Sequence, residues 1–238
     1  MGPVAANYQR VLDRIASAAS RAGRAAEQVR LVVVTKGHPL EVVQAAFAAG
    51  ARDLGENYVE EALPKMEALS WFEGVRWHMI GHVQSRKAGP VARHFNCVHS
   101  LDSLKLAIRL DRFAREAGRR LPFLLECNVS GEESKFGWKA YPEASWGELV
   151  QAIAPLLDLP NLELRGLMTM APFSPDPQTA RPYFQRLRRL QNRFAAEFPG
   201  VAWDELSMGM SADYEVAIQE GATMVRIGTA ILGERPGS

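Results

Sequence analysis

Short apolar runs alternate with amphipathic stretches along the chain, and this alternation predicts repeated strand–helix units. The apolar runs suit strands of a parallel sheet that are buried on both faces. The stretches between them, such as Leu40–Ala49, Ser103–Ala117 and Pro182–Phe198, carry apolar residues at helical spacing. We predict eight strands: Leu31–Val34, Asp53–Gly55, Trp77–Ile80, Cys97–Ser100, Phe123–Asn128, Leu164–Met168, Glu205–Ser207 and Thr223–Ile227.

A further helix, Ala6 to Arg21, is predicted ahead of the first strand. Eight successive βα units within 238 residues, with no break in composition, predict one α/β domain over 1–238, a (β/α)8 TIM barrel with an extra N-terminal helix. A doubly wound open sheet is the alternative fold. It is less well supported because no G-x-G-x-x-G motif follows the first strand. The Pro-rich segment Pro172–Pro182 is interpreted as the sixth βα loop.

Charge and cysteine content narrow the functional classes. The chain has 28 Lys plus Arg against 27 Asp plus Glu, so its net charge of +1 favours neither nucleic acid nor an anionic membrane. Its two cysteines, Cys97 and Cys127, form no C-x-x-C pair, which fits a reducing compartment. We expect no signal peptide and no membrane span, and therefore a cytoplasmic protein. We also expect a monomer, because barrel packing accounts for the apolar stripes.

Lys36 is the first candidate for chemistry, because it directly follows the strongly apolar run Leu31–Val34. In a TIM barrel the reacting groups lie at the carboxyl ends of the strands, so the Lys36 amine should reach the barrel mouth. A partly dry pocket with neighbouring cations would favour its neutral, nucleophilic form. A lysine that only solvates the rim or pairs with Glu56 is an equally weighted alternative from position alone.

Two loops at the ends of the seventh and eighth strands predict an anion site. Ser207 offers a hydroxyl, Gly209 permits close backbone approach, and Met210 or Ser211 is predicted to open a helix with free N–H groups. Gly228 and Thr229 repeat this chemistry after the eighth strand. Ordinary turns explain either loop alone, but their shared place in a barrel favours a phosphate.

Arg226 lies within the last predicted strand, where a permanent charge requires an acceptor or a counter-ion. The candidates are a carboxylate such as Glu56 or the ring nitrogen of a bound cofactor. A lysine, a phosphate site and an arginine at one barrel mouth are what a pyridoxal phosphate site requires. No metal site is predicted, because Gly81 and the strand Trp77–Ile80 break the helical spacing of His78 and His82.

The chain resembles the YggS/PROSC family of pyridoxal phosphate homeostasis proteins, which are related to the N-terminal barrel of fold-type III alanine racemases. Many ordered blocks carry the resemblance, and they run through most of the chain. They include Val34–Lys36, Gly55–Glu61, Trp77–Lys87, Glu133–Gly137, Arg165–Met168, Leu206–Ser211 and Met224–Ile231.

This resemblance implies roles for individual residues. It implies that pyridoxal 5′-phosphate forms a Schiff base with Lys36 and that Asn57 lies behind the cofactor ring. Ser207, Gly228 and Thr229 would hold the phosphate, with Gly209 in the same cradle. Arg226 would face the pyridine nitrogen.

The function implied is buffering or delivery of pyridoxal phosphate, with PLP-dependent apo-enzymes as candidate partners and no efficient catalysis. An amino-acid racemase of the same barrel type is the alternative function. A cofactor-free barrel that acts as an interaction scaffold is the third. Racemisation needs a second base opposite Lys36, and the sequence offers only Tyr58 and Tyr214 near the predicted mouth.

Overall fold

The computed structural model describes residues 2–235 and confirms the predicted TIM barrel. Eight parallel strands close into a barrel, since β1 pairs with both β2 and β9, and β4 pairs with β5. A two-residue strand, β6, pairs with the end of β5 outside this ring. The strands are β1 Arg30–Val34, β2 Asp53–Glu56, β3 Arg76–Met79, β4 Cys97–Leu101, β5 Leu121–Asn128, β6 Trp138–Lys139, β7 Leu162–Met168, β8 Glu205–Ser207 and β9 Met224–Ile227.

Helices follow the barrel strands and cover the outside of the barrel. The described helices are α1 Pro3–Arg21, α2 Leu40–Ala48, α3 Val59–Ala68, α4 Ala88–His94, α5 Leu104–Glu116, α6 Trp146–Ile153, α7 Arg181–Glu197, α8 Tyr214–Gln219 and α9 Thr229–Leu232. The predicted N-terminal helix is present as α1, which packs against α8 and α9. Within residues 2–235, no helix is both long and apolar enough to cross a bilayer.

Amphipathic spacing explains how the outer helices attach. In α5, Leu106, Leu110 and Ala114 are buried, and the Ser103 side chain accepts a hydrogen bond from the Leu106 amide at the helix start. In α7, Leu187, Leu190 and Phe194 are buried. Three arginines of α7 form ion pairs, in which Arg186 and Arg189 contact Glu143 and Arg193 contacts Glu197.

The segment 169–180 connects β7 to α7, so the predicted sixth βα loop is present, although positions 181 and 182 of the predicted loop belong to α7. It includes a 3-10 turn, Pro177–Ala180, before α7 begins at Arg181. Pro182 therefore lies in the first turn of α7, where a missing N–H costs no helical hydrogen bond. The carboxyl ends of all eight barrel strands face one end of the molecule, which is where the predicted site residues should meet.

Candidate functional site

A cavity of about 930 Å³ opens at the carboxyl end of the barrel. Residues that follow β1, β2, β3, β7, β8 and β9 line it, so it forms where the βα loops converge. Of the predicted site residues, Lys36, Asn57, Arg226, Gly228 and Thr229 line this cavity together.

Lys36 lies in a tight turn directly after β1. The His38 amide donates to the Thr35 carbonyl oxygen at 3.2 Å, which closes the turn over Lys36 and Gly37. Gly37 has φ +72°, as the third position of a type II turn requires. Thr35 is fully buried, and the chain reverses direction directly after it. The Lys36 side chain therefore lines the cavity and not the barrel interior.

Three charged side chains, those of Lys65, Glu56 and Glu61, support this turn through hydrogen bonds. The Lys65 amine donates to the Thr35 carbonyl oxygen at 2.8 Å, to Glu56 Oε1 at 2.7 Å and to Glu61 Oε1 at 2.6 Å. Glu61 in turn accepts a hydrogen bond from the Gly37 amide. Glu56 is fully buried and also accepts from the Thr35 hydroxyl at 2.7 Å. Glu56 therefore forms its ion pair with Lys65. The alternatives that paired Glu56 with Lys36 or Arg226 are wrong.

The Lys36 amine makes no hydrogen bond or ion pair within residues 2–235. Burial lowers the pKa of Lys36, and the guanidinium groups of Arg235 and Arg226 lower it further, while Glu56 and Glu61 act in the opposite direction. The net pKa lies below the ordinary value of 10.5. An uncommitted amine with a lowered pKa is chemically suited to attack a carbonyl group.

Arg226 is 4% exposed and borders the cavity from β9. Its Nη1 donates to Ser207 Oγ at 2.6 Å and its Nη2 donates to the Thr169 carbonyl oxygen at 2.9 Å. No ion pair to Arg226 occurs among the described residues. Burial lowers the pKa of Arg226 to about 10, so the guanidinium remains charged near neutral pH with only neutral partners.

The predicted phosphate cradle divides into two groups. Gly228 and Thr229 line the cavity at the start of α9, where the first backbone N–H groups have no acceptor within the helix. Ser207 is fully buried, and its hydroxyl is already bonded to Arg226 and to His99. Its hydroxyl is therefore committed inside the barrel, and Ser207 does not line the cavity. Gly209 is also buried and does not line the cavity.

Ser211 is the serine of this loop that lines the cavity. Its hydroxyl lies 3.5 Å from the Ala230 amide, so it bridges the loops after β8 and β9. The helix predicted to open at Met210 or Ser211 instead begins at Tyr214, because Asp213 accepts from the Met210 amide and holds residues 211–213 in a turn.

Asn57 lies at the end of β2, where the neighbouring Gly81 approaches it closely. A Cβ added to Gly81 would lie 2.6 Å from the Asn57 carbonyl oxygen and 2.7 Å from its Cα. Only a glycine at position 81 therefore leaves the Asn57 backbone in its observed place.

Glu126 lines the cavity and was missed by the sequence reasoning. It is 4% exposed, and burial, together with the nearby Asp102, raises its pKa to about 7 although Arg226 opposes the shift. The sequence signal was available, since Glu126 is the one charged residue in the predicted strand Phe123–Asn128.

Exposed aromatic side chains surround the cavity mouth. Tyr58 is 63% exposed, Phe136 is 54% exposed and Phe173 is 86% exposed, and all three line the cavity. Phe136 stacks on His82 with ring centroids 3.9 Å apart, while His82 also pairs with Asp102. The other tyrosine weighed above, Tyr214, is buried and does not line the cavity.

The charge of the cavity wall favours an anion. Five basic residues line it, against the two acidic residues Glu60 and Glu126. The basic residues are Lys36, Arg86, Lys87, Arg226 and Arg235. Lys87 is paired with Glu60, and Glu126 carries a raised pKa, so the remaining field is positive.

Comparison with known proteins agrees with this chemistry. The sequence matches the family described as "Alanine racemase, N-terminal domain" over residues 7–236. A pyridoxal phosphate homeostasis protein of Pseudomonas aeruginosa is 44% identical over 238 residues, which are 99% of this chain and 97% of that protein. The structure of PipY from Synechococcus elongatus with PLP bound matches with a TM-score of 0.78 and 37% identity, covering 92% of this chain and 100% of that one.

The same barrel occurs in larger proteins. An alanine racemase of Clostridium difficile matches with a TM-score of 0.70 and 16% identity, over 98% of this chain and 58% of that one. At this identity the likeness shows a shared fold alone.

Proposed function

This chain belongs to the alanine racemase N-terminal domain family and, within it, to the pyridoxal phosphate homeostasis proteins, and from this we propose that it binds pyridoxal 5′-phosphate and takes part in controlling its intracellular supply. One observation carries the proposal from the structure itself. Among the residues that the structure describes, the Lys36 amine has no hydrogen bond or ion pair, and it has a lowered pKa inside a cationic cavity.

Lys36 is the residue proposed to hold the cofactor covalently. The aldehyde of bound pyridoxal phosphate would supply the electrophile, and the neutral Lys36 amine would be the nucleophile that holds it, with water as the leaving group. The lowered pKa of Lys36 raises the fraction of neutral amine at physiological pH. Lys65 is excluded from this role by geometry, because its amine already donates to three oxygens in a buried site.

The remaining contacts are proposed from the family resemblance, and the residues concerned line the cavity wall. We assign the phosphate to the loops after β8 and β9, with the Ser211 hydroxyl and the backbone at Gly228 and Thr229 as donors. Arg226 contacts the pyridine nitrogen, and Asn57 lies behind the ring. A guanidinium can only donate a hydrogen bond, so it keeps the ring nitrogen unprotonated. The bound cofactor supplies an electron-accepting ring, and an unprotonated nitrogen weakens that property.

Efficient racemisation is not expected from this cavity. Removal and return of a proton on opposite faces requires a second base opposite Lys36. Within residues 2–235, Tyr58 is the one tyrosine that lines the cavity, and it is 63% exposed at the rim. The racemase alternative is supported by the fold alone. The cofactor-free scaffold is disfavoured, because it leaves the buried charge of Arg226 without a function.

PLP-dependent apo-enzymes are the proposed partners. Tyr58, Phe136 and Phe173 form an exposed aromatic rim around the cavity, which is the composition of a protein-binding surface. The protein is proposed to be a monomer, because the apolar stripes of outer helices such as α5 and α7 are buried by packing within the barrel. Both cysteines are buried and unpaired, which fits the proposed cytoplasmic location.

The test is a spectrum followed by a mass measurement. Purified protein incubated with pyridoxal phosphate should show a visible absorption band that borohydride abolishes, and the reduced protein should gain one cofactor mass per chain. Protein that gains no mass after reduction would contradict the proposal.

Arg235→Ala tests the charge of the cavity. Because it removes a cavity cation, it should lower the affinity for pyridoxal phosphate, while the covalent link to Lys36 remains possible.

A further inference from the structure

A row of buried polar side chains crosses the barrel interior beneath Arg226. Asp53 Oδ1 lies 2.8 Å from His78 Nε2, and His78 Nδ1 lies 2.9 Å from His99 Nε2. His99 Nδ1 lies 2.8 Å from Ser207 Oγ, which accepts from Arg226 Nη1 at 2.6 Å. The five residues belong to β2, β3, β4, β8 and β9, and each is at most 5% exposed.

The row begins at a carboxylate. Burial alone would raise the pKa of Asp53, but hydrogen bonds from His78 and Arg76 outweigh it and hold the pKa well below the usual range. Asp53 is therefore ionised and can only accept hydrogen bonds. His78 Nε2 must then carry a proton that it donates to Asp53.

Asp53 at one end of the row and Arg226 at the other together determine the direction in which hydrogen bonds are donated along it. If His78 is neutral, its Nδ1 accepts from a proton on His99 Nε2, and His99 Nδ1 then accepts from the Ser207 hydroxyl. Ser207 Oγ is left to accept from Arg226, so each hydrogen in the row has an acceptor. In the opposite direction, His99 and Arg226 would both donate to Ser207. The Ser207 hydroxyl hydrogen would then have no acceptor among its described contacts, in a fully buried position.

A metal ion is the competing explanation, because His78, Cys97 and His99 place ligand atoms within 4.8 Å of one another. Two histidine nitrogens bound to one tetrahedral zinc, each about 2.05 Å from it, lie roughly 3.3 Å apart. The observed separation is 2.9 Å, which is the length of a direct hydrogen bond. Burial also raises the pKa of Cys97 to about 12, so this thiol stays protonated in the absence of a metal.

We propose that Asp53, His78, His99 and Ser207 form a one-directional hydrogen-bond chain that positions Arg226 for the cofactor ring. One N–H of Arg226 donates to Ser207 in this hydrogen-bond chain, and a second donates to the Thr169 carbonyl oxygen. Three of the five N–H groups of the guanidinium make no other hydrogen bond among the described residues. His78 and His99 are positioning residues, since neither lines the cavity. This inference rests on the proposed contact of Arg226 with the ring.

Histidine tautomers test the chain without reference to the cofactor. In full-length protein with nitrogen-15 labelled histidines, His78 and His99 should both be neutral and should both carry the proton on Nε2. A proton on Nδ1 of His99, or a stoichiometric metal ion in the purified protein, would overturn the proposal. This result is independent of whether the protein binds pyridoxal phosphate.

Release of bound pyridoxal phosphate tests the consequence for Arg226. His99→Phe preserves a buried ring but breaks the chain, so release measured from the visible band should accelerate by about tenfold. The nitrogen-15 shift of the cofactor ring should also change in this variant. The matched control is Cys97→Ala, which alters a neighbouring buried side chain outside the chain and should release the cofactor at nearly the wild-type rate.

The two variants separate a positioning role from a merely structural one. If His99→Phe and Cys97→Ala lose thermal stability alike and release the cofactor alike, the chain does not position Arg226. If the wild-type protein and His99→Phe retain the cofactor equally well, this inference is contradicted. The proposed function then remains intact. If His99→Phe fails to fold, the tautomers in the unmodified protein still decide the direction of the chain.

Discussion

The Lys65 amine donates a 2.8 Å hydrogen bond to the carbonyl oxygen of Thr35, the residue that precedes Lys36. The same amine neutralises Glu56, which is fully buried. One buried lysine therefore fixes the backbone from which another lysine enters the cavity. The two lysines have opposite requirements, because Lys65 must stay charged and paired while Lys36 must be able to lose its proton.

Replacing Lys65 with methionine should destabilise the protein by about 3–5 kcal/mol, because it leaves the Glu56 carboxylate buried without a counter-charge. Urea unfolding measures this loss. Adding Glu56→Gln to the same chain should recover part of it, since the uncompensated charge is then gone. The control is Lys87→Met, which removes a lysine from the ion pair with the exposed Glu60 and should change stability much less. Equal losses in the two single variants would contradict this account.

Glu126 predicts a pH dependence of stability. Its pKa rises from 4.5 to about 7 on folding, so between these values the folded state binds more protons than the unfolded state. Stability should therefore fall as pH rises from about 5 to 8, by an amount on the order of 3 kcal/mol for this group. Glu126→Gln should remove that fall in protein freed of cofactor. If the difference in unfolding free energy between the wild-type protein and Glu126→Gln stays constant between pH 5 and 8, Glu126 has an ordinary pKa.

Gly81→Ala tests the placement of Asn57. The added methyl group meets the Asn57 backbone at 2.6 Å, so Asn57 must move away from its place in the cavity wall. We expect cofactor affinity to fall by roughly tenfold, equivalent to about 1.4 kcal/mol. Gly147→Ala is the control, because a methyl group there meets no atom within 4 Å. Titration of the visible band measures both, and unchanged affinity in Gly81→Ala would argue against a role for Asn57.

The protein should racemise common amino acids more slowly than about 1 s⁻¹, because Tyr58, the one tyrosine of the described cavity wall, is exposed at the rim and not held opposite Lys36. Chiral analysis of L-alanine, L-serine and L-glutamate incubated with the protein and pyridoxal phosphate measures this. Any trace activity should survive Tyr58→Phe, since Tyr58 is exposed at the rim. Turnover at or above that rate, abolished by Tyr58→Phe, would favour the racemase alternative.

The regular parts of the structure were predictable from the sequence. Each of the eight predicted strands occurs within two residues of its expected bounds, because a short apolar run between helices has few other solutions. Lys36 could be placed for the same reason, since it directly follows such a run. Arg226 could be placed in the last strand, and its position there required a buried partner.

The partners of these residues were not predictable. Ser207 and Ser211 are four positions apart, and which one lines the cavity depends on where β8 ends and how the following turn bends. The contact between His99 and Ser207 joins residues 108 positions apart on different strands, and no local pattern encodes it. The partner of Glu56 was missing from the alternatives considered, Lys36 and Arg226, because Lys65 reaches it from α3, a helix that the strand pattern does not orient.

The attachment site of pyridoxal phosphate tests the central claim most directly. Protein loaded with the cofactor, reduced with borohydride and digested should yield one modified peptide, with the label on Lys36. Lys36→Ala should yield none while remaining folded, and Lys87→Ala, which changes another lysine of the cavity wall, should still be labelled on Lys36. A label on Lys65, Lys87, Lys105, Lys135 or Lys139 in the wild-type protein would contradict the account.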